Sequence, residues 1–179
     1  NLGQMIRQHT PDGGETNFIY DNLSRLRFSQ NAAQQIDGEY SYTKYDDLGR
    51  VVEAGQSTLD ESSLDFIDVL NTNNLTLADD NSFPGTQTQQ VTHSVYTTPA
   101  QVTYYGQAQR YLQNRISYVY SDYDGLSSTE EDQYYTYYSY DAHGNVEWLI
   151  QEDAEIGKNY MAYDYDLISG KVLKVKYNE

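Results

Sequence analysis

YSYDAHGNVEWLI, residues 138–150, has the layout of a β-hairpin. Tyr138 and Tyr140 share one strand face, Asp141-Ala142-His143-Gly144 makes a four-residue turn, and Val146, Trp148 and Ile150 give the returning strand an apolar face. An aspartate opening such a turn accepts hydrogen bonds from backbone N–H groups two or three residues on. A glycine at the fourth position takes the positive φ that closes a type I turn with a bulge. The hairpin therefore sets its own register.

The same phrase recurs in Tyr20-Asp21-Asn22-Leu23-Ser24-Arg25-Leu26, in Tyr45-Asp46-Asp47-Leu48-Gly49-Arg50-Val51 and in Tyr165-Asp166-Leu167-Ile168-Ser169-Gly170-Lys171-Val172. Tyr20 and Tyr45 are offset by 25 residues, as are Tyr140 and Tyr165. Phe18, Tyr138 and Tyr163 stand two residues before their tyrosines, and only Thr43 breaks that pattern. After each turn comes a polar and then an apolar residue: Arg25-Leu26, Arg50-Val51, Asn145-Val146 and Lys171-Val172. The opening Leu2-Gly3-Gln4-Met5-Ile6 reads as a severed fifth copy. A fixed period in this range marks a repeat array.

Tyr45-Asp46-Asp47-Leu48-Gly49-Arg50 carries Tyr-Asp followed two residues later by Gly-Arg. On that motif the chain resembles the Rhs, or YD-repeat, proteins of bacteria, with relatives in the animal teneurins and the insecticidal toxin complexes. YSYDAHGNVEWLIQED (138–153), YDYDLISGKVLKVKY (163–177) and, more loosely, YLQNRISYVYSDYDG (111–125) are similar to Bacteroidetes members, and the matches cover residues 1–55 and 90–179. Three departures predict a tighter or differently bonded turn: Ser24 in place of the turn glycine, Asn145 in place of arginine, and one extra residue in the fourth turn. The resemblance implies a sheet that winds into a hollow shell, enclosing a toxic C-terminal domain in bacterial members. It also implies a secreted or cell-surface location. The expected partners are the remaining repeats and the enclosed C-terminal domain of a parent protein. No stretch resembles the aspartate-based self-cleaving region that follows the repeats in that family.

At 179 residues the chain can bury roughly 70% of its unfolded surface. Twenty tyrosines outweigh the sparse aliphatics, so the core must be built largely of tyrosine rings with hydroxyls at the margin or hydrogen-bonded. A net charge of −16 argues against nucleic acid and anionic membranes as partners. There is no cysteine, which removes disulfides, thiol catalysis and thiolate metal sites. No apolar run reaches the roughly 18 residues of a membrane span. The chain opens at Asn1 in mid-repeat and ends at Glu179 directly after a strand, and is expected to be a piece of a longer protein.

The expected fold is all-β: one repeat domain over residues 1–179 in which antiparallel hairpins form a curved, twisted sheet. Residues 1–55 and 91–179 are repeats and 56–90 an insertion. Strands are expected at 5–9, 16–20, 25–30, 39–45, 50–54, 91–96, 102–105, 115–120, 133–140, 146–151, 158–165 and 171–177. Gln30 to Gly38 reads as a loop, Ser62 to Leu70 as a short helix with a serine cap, and Asn71 to Thr88 as an irregular loop. The insertion is expected to cap a sheet edge. Gln107 to Gln113 fits a helical turn or a strand.

Candidate chemistry is thin. His9, His93 and His143 are far apart and show no metal-ligand spacing, and no nucleophile elbow accompanies the serines. Asp122 and Asp124, in an expected turn at 122–125, and the run Glu130-Glu131-Asp132 only faintly echo a calcium loop. The expected roles are structural, with no cofactor and no enzymatic activity. They fall on Tyr20, Asp21, Tyr45, Asp46, Gly49, Arg50, Tyr140, Asp141, Gly144, Tyr165, Asp166 and Gly170. Tyr138, Tyr140, Tyr163 and Tyr165 are expected to form cross-strand ladders. The alternative is a carbohydrate-binding or adhesion module that uses exposed tyrosines, with glycans as partners.

Overall fold

A computed structural model describes residues 3–58, 75–85, 87–123 and 133–178. The described chain is antiparallel β-structure with two short helices, and it forms two compact units, one up to Val91 and one from Thr92 onward.

In the first unit, β1 (Arg7–Thr10), β2 (Gly14–Tyr20), β3 (Leu26–Gln30), β4 (Glu39–Tyr45) and β5 (Val51–Thr58) lie side by side in chain order, each antiparallel to the last. The pleat sends Ile19, Phe28, Tyr40 and Tyr42 to one face, where they are buried together with Ala78. Two expected loops contain helix. Ala32–Asp37 forms α1, started by a capping box in which the Asn31 side chain accepts from the Gln34 N–H and the Gln34 side chain accepts from the Asn31 N–H. It ends at Gly38 with φ 69°. Leu75–Asp79 forms α2. The helix expected over 62–70 lies outside the described residues.

The described part of the insertion covers a face of the sheet, not the expected edge. Ala78, Leu77 and Phe83 pack on the Phe28–Tyr40 cluster, and Phe83 meets Phe28 edge-on at 5.8 Å. Arg27 fastens this cover. It is 2% exposed and donates to four carbonyls: Ala78 through Nε (2.8 Å), Asp80 and Phe83 through Nη2 (2.8 and 3.0 Å), and Thr43 through Nη1. Burial lowers its pKa, partly offset by the Asp21 charge.

The second unit repeats the scheme. β9 (Ile116–Asp122), β10 (Gln133–Tyr140), β11 (Val146–Asp153), β12 (Gly157–Tyr165) and β13 (Val172–Tyr177) are sequential antiparallel neighbours, and β6 (Thr88–Tyr96) adjoins β9. The expected turn at 122–125 starts too early, because Asp122 is still in β9, opposite Gln133. Trp148, Ile150, Tyr137 and Ala162 form the core.

Residues 98–113 lie against this core. They contain a two-by-two hairpin, β7 (Thr103–Tyr104) with β8 (Gln107–Ala108), shorter than the expected strand at 102–105. Tyr104 stacks on Trp148 at 5.9 Å. The buried Gln109 side chain donates to the Ser117 and Tyr138 carbonyls, both at 2.8 Å, and accepts from Ala100 N–H and Ser117 Oγ. In each unit a buried polar side chain thus ties a covering segment to the sheet, as burial of its own polar atoms demands.

Candidate functional site: the tyrosine–aspartate corners

Each corner is built by one carboxylate. Asp21 Oδ1 accepts from the N–H groups of Leu23 (3.0 Å) and Arg25 (2.8 Å), while Oδ2 takes Arg25 Nε at 2.6 Å. Asp46 does the same with Leu48, Arg50 and Arg50 Nε, at 3.0, 2.9 and 2.6 Å. The donors lie two and four residues on, not two or three, because the bulge brings the residue after the turn back under the aspartate. The pairing register shifts at Tyr20, Tyr45, Tyr140 and Tyr165 alike.

Two of the three departures leave this bonding intact. Ser24 adopts φ 66°, close to the 77° of Gly49, and its N–H still reaches the Asp21 carbonyl at 3.0 Å. Asn145 replaces an arginine, yet its Nδ2 donates to Asp141 Oδ2 at 2.9 Å, and His143 and Asn145 N–H groups bind Oδ1. Only the fourth corner differs. With its extra residue, Asp166 Oδ1 accepts from Ile168 and Ser169 at 3.1 and 2.6 Å.

A further corner was not legible as one. Thr97 follows Tyr96 as aspartate follows tyrosine elsewhere, its N–H donates to the Arg115 carbonyl (3.0 Å), and its Oγ1 accepts from Asn114 N–H (3.2 Å). Asn114, at φ 57°, takes the turn-glycine role. The corner is interrupted by residues 98–113, so its signal was Tyr96-Thr97 and Asn114-Arg115-Ile116 read as one split phrase.

The tyrosines explain the period. Tyr20 Oη donates to the Met5 carbonyl (3.0 Å), Tyr45 to Leu26 (2.8 Å), Tyr140 to Ile116 (2.9 Å) and Tyr165 to Val146 (2.8 Å). Leu26, Ile116 and Val146 each open the return strand that precedes the tyrosine's own hairpin, so each ring latches its hairpin to the one before. The guanidinium of Arg25 lies 4.5 Å over Tyr45 and that of Arg115 lies 5.4 Å over Tyr140, which adds a cation–π contact to the latch. Burial raises the pKa of Tyr45, Tyr140 and Tyr165, so their hydroxyls stay protonated donors.

The expected ring ladder belongs elsewhere. Tyr163 and Tyr165 are 6.3 Å apart and tilted, whereas the continuous row runs His93–Tyr120–Tyr135–Tyr137, with centroids at 4.4, 5.3 and 5.7 Å. The exposed tyrosines among the described residues are Tyr105, Tyr111, Tyr123, Tyr134 and Tyr177, and none of them is a corner tyrosine.

No family model matches the chain, and no curated protein does. Solved structures with a likeness include a crystal structure of TcdB2-TccC3, at 15% identity over 99% of this chain and 9% of that one, with a TM-score of 0.41. The Photorhabdus luminescens Tc holotoxin pore with a TccC3 mutation gives 15% identity over 98% and 8%, with a TM-score of 0.43. TcdB2-TccC3 without its hypervariable C-terminal region gives 18% over 96% and 8%, with a TM-score of 0.41. The chain spans less than a tenth of the length of these relatives. A likeness this distant decides nothing; the strand pairing carries the fold.

Of the other candidates, His9 and His143 are exposed, and His93 stacks on Tyr120. Among the described residues no three His, Cys, Asp or Glu side chains gather as metal ligands. Asp122 is buried in a strand, and Asp124 and 130–132 lie outside the described residues.

Two predictions follow from corner geometry. For Asp46 and Asp141 burial raises the pKa, but hydrogen bonds from Arg50 and Leu48, and from Asn145, His143 and Gly144, outweigh it and the net shift is downward. Asp166 is lowered by the Ser169 backbone and side chain, then by Ile168. Depressed folded-state values mean stability that is complete above the unfolded carboxylate pKa and lost as pH falls through the folded one. The thermal midpoint should therefore hold near neutrality and drop below about pH 4. Asp141→Asn should flatten that drop, and an identical acid profile would count against these bonds.

Gly144 separates conformational strain from steric conflict. At φ 94°, its Cβ would stand 2.8 Å from Arg115 Nη2, whereas Gly170, at φ 67°, has open space. Gly144→Val should cost about 2–3 kcal/mol, roughly 1 more than Gly170→Val, because it also pushes Arg115 off Tyr140. Equal losses in chemical denaturation would exclude the Arg115 contribution.

Proposed function

We propose that this chain is a wall segment of a large secreted or surface YD-repeat protein, shielding a toxin or effector domain of the same parent or presenting a surface, and that it is not an enzyme. The observation that carries this reading is the latch. In three places the corner tyrosine's hydroxyl is used on the preceding hairpin, in a fourth it is used on the Met5 carbonyl just ahead of β1, and the corner aspartates are spent on their own turns. Groups bonded in this way hold a sheet together and have little capacity left for a substrate.

The test is protease protection of the enclosed domain in the parent protein. Tyr45→Phe, Tyr140→Phe and Tyr165→Phe each strip a carbonyl of its donor at about 1 kcal/mol, so the triple variant should expose that domain to digestion. A domain digested at the same rate in both proteins, or as quickly as when detached, would overturn the shielding role.

A further inference from the structure

Among the described residues β13 has β12 on one side and no strand on the other. Val172, Val175 and Tyr177 are each half exposed or more along this edge. Its start repeats a construction that elsewhere carries a tyrosine. Leu26, Ile116 and Val146 open their return strands and accept the hydroxyls of Tyr45, Tyr140 and Tyr165 at 2.8, 2.9 and 2.8 Å.

The residue just before the acceptor supplies a cation in two of these cases, Arg25 over Tyr45 at 4.5 Å and Arg115 over Tyr140 at 5.4 Å. Arg25 Nη1 also donates to the Asp46 carbonyl at 3.4 Å, so it touches both members of the tyrosine–aspartate pair. Asn145 holds that place before Val146, and the Tyr165 bond forms without a cation. At β13 the acceptor position falls to Val172 and the cation position to Lys171, which is exposed. Among the described residues no tyrosine hydroxyl reaches the Val172 carbonyl.

A second copy of this chain suits the edge poorly. Lys171, Lys174 and Lys176 are three of the chain's five lysines, so two β13 strands paired about a two-fold axis would gather them at one seam. Asp164 answers Lys176 at 3.0 Å, which leaves the seam net positive. Like charges across a strand pair are destabilising, and edge lysines guard against self-pairing for that reason. A strand that ends in tyrosine and aspartate brings a hydroxyl for Val172 and an acid of opposite sign.

We propose that β13 and Lys171 form a docking edge for the tyrosine-ended strand of another tyrosine–aspartate hairpin of the parent protein. That strand adds antiparallel to β13, its tyrosine Oη donating to the Val172 carbonyl and its ring lying under the Lys171 ammonium. The inference rests on the wall-segment reading and names what adjoins the wall at this edge.

NMR titration of the whole chain with a backbone-cyclised peptide of residues 40–57 tests this. Tyr40 and Ser57 face each other in the native ladder, so ring closure preserves the hairpin that carries Tyr45-Asp46. Amide signals of residues 172–177 should shift saturably. Tyr45→Phe in the peptide should weaken binding roughly fivefold, by removing the donor to Val172. Lys171→Gln in the chain should weaken it about threefold, whereas Lys171→Arg should keep or strengthen it. Equal binding of the Tyr45→Phe peptide, no saturable shift at 172–177, or a dimer of the chain that shifts the same amides would each overturn the proposal. None of those results bears on protease protection of the enclosed domain, which tests the wall-segment reading separately.

Discussion

Methionine in place of Arg27 is expected to destabilise the first unit by about 3–5 kcal/mol, the largest loss of any charged position described. The methylene stem would be matched, but the Ala78, Asp80, Phe83 and Thr43 carbonyls would lose their donor together. Buried carbonyls tolerate this only by opening to water, so the cover over Phe28 and Tyr40 should lift. Limited proteolysis within residues 75–85 should accelerate along with the drop in denaturant midpoint. Arg27→Lys should recover part of the loss, since one ammonium keeps the charge but cannot span four acceptors. A midpoint shift worth under about 1 kcal/mol would show that the cover holds without the guanidinium.

Trp148→Ala is expected to cost the second unit a similar 3–5 kcal/mol, and Trp148→Phe far less, about 1 kcal/mol or below. Trp148 is 1% exposed, packed with Ile150, Tyr137 and Ala162 and roofed by Tyr104. Its indole Nε1 is buried without a hydrogen-bond partner, a standing penalty that phenylalanine removes while giving up some volume. A loss well above about 1 kcal/mol for Trp148→Phe would mean that the indole N–H is satisfied after all. Urea denaturation of the two proteins separates these outcomes.

The hairpins were legible because their information is local. Alternation of Ile116, Tyr118 and Tyr120 with Ser117 and Val119, and an aspartate-to-glycine turn leading to Val146, specify strand, turn and face from residues close together in the chain. α1 was equally local. Asn31, Gln34 and Gly38 spell a capping box and a left-handed end, but a polar stretch without apolar periodicity conceals a helix this short.

Other features have no local signature. The acceptor of Tyr165 lies 19 residues back on another hairpin, and the partners of Arg27 lie mostly more than 50 residues on. An arginine next to Phe28 reads as solvated from sequence alone, and only the fold shows that it is enclosed. The corner at Tyr96-Thr97 has no continuous signature because its second half comes after residues 98–113, and no period survives such a gap.

The latch also gives the polypeptide a direction in time. Leu26 and Val146 leave the ribosome with their carbonyls unclaimed, and the tyrosine that claims each is made 19 residues later. At about 5–20 residues per second, a newborn hairpin waits on the order of one to four seconds for its successor. Assembly of this kind is a ratchet that runs from the amino end, in which the arriving pair of strands secures its predecessor at each of these latches.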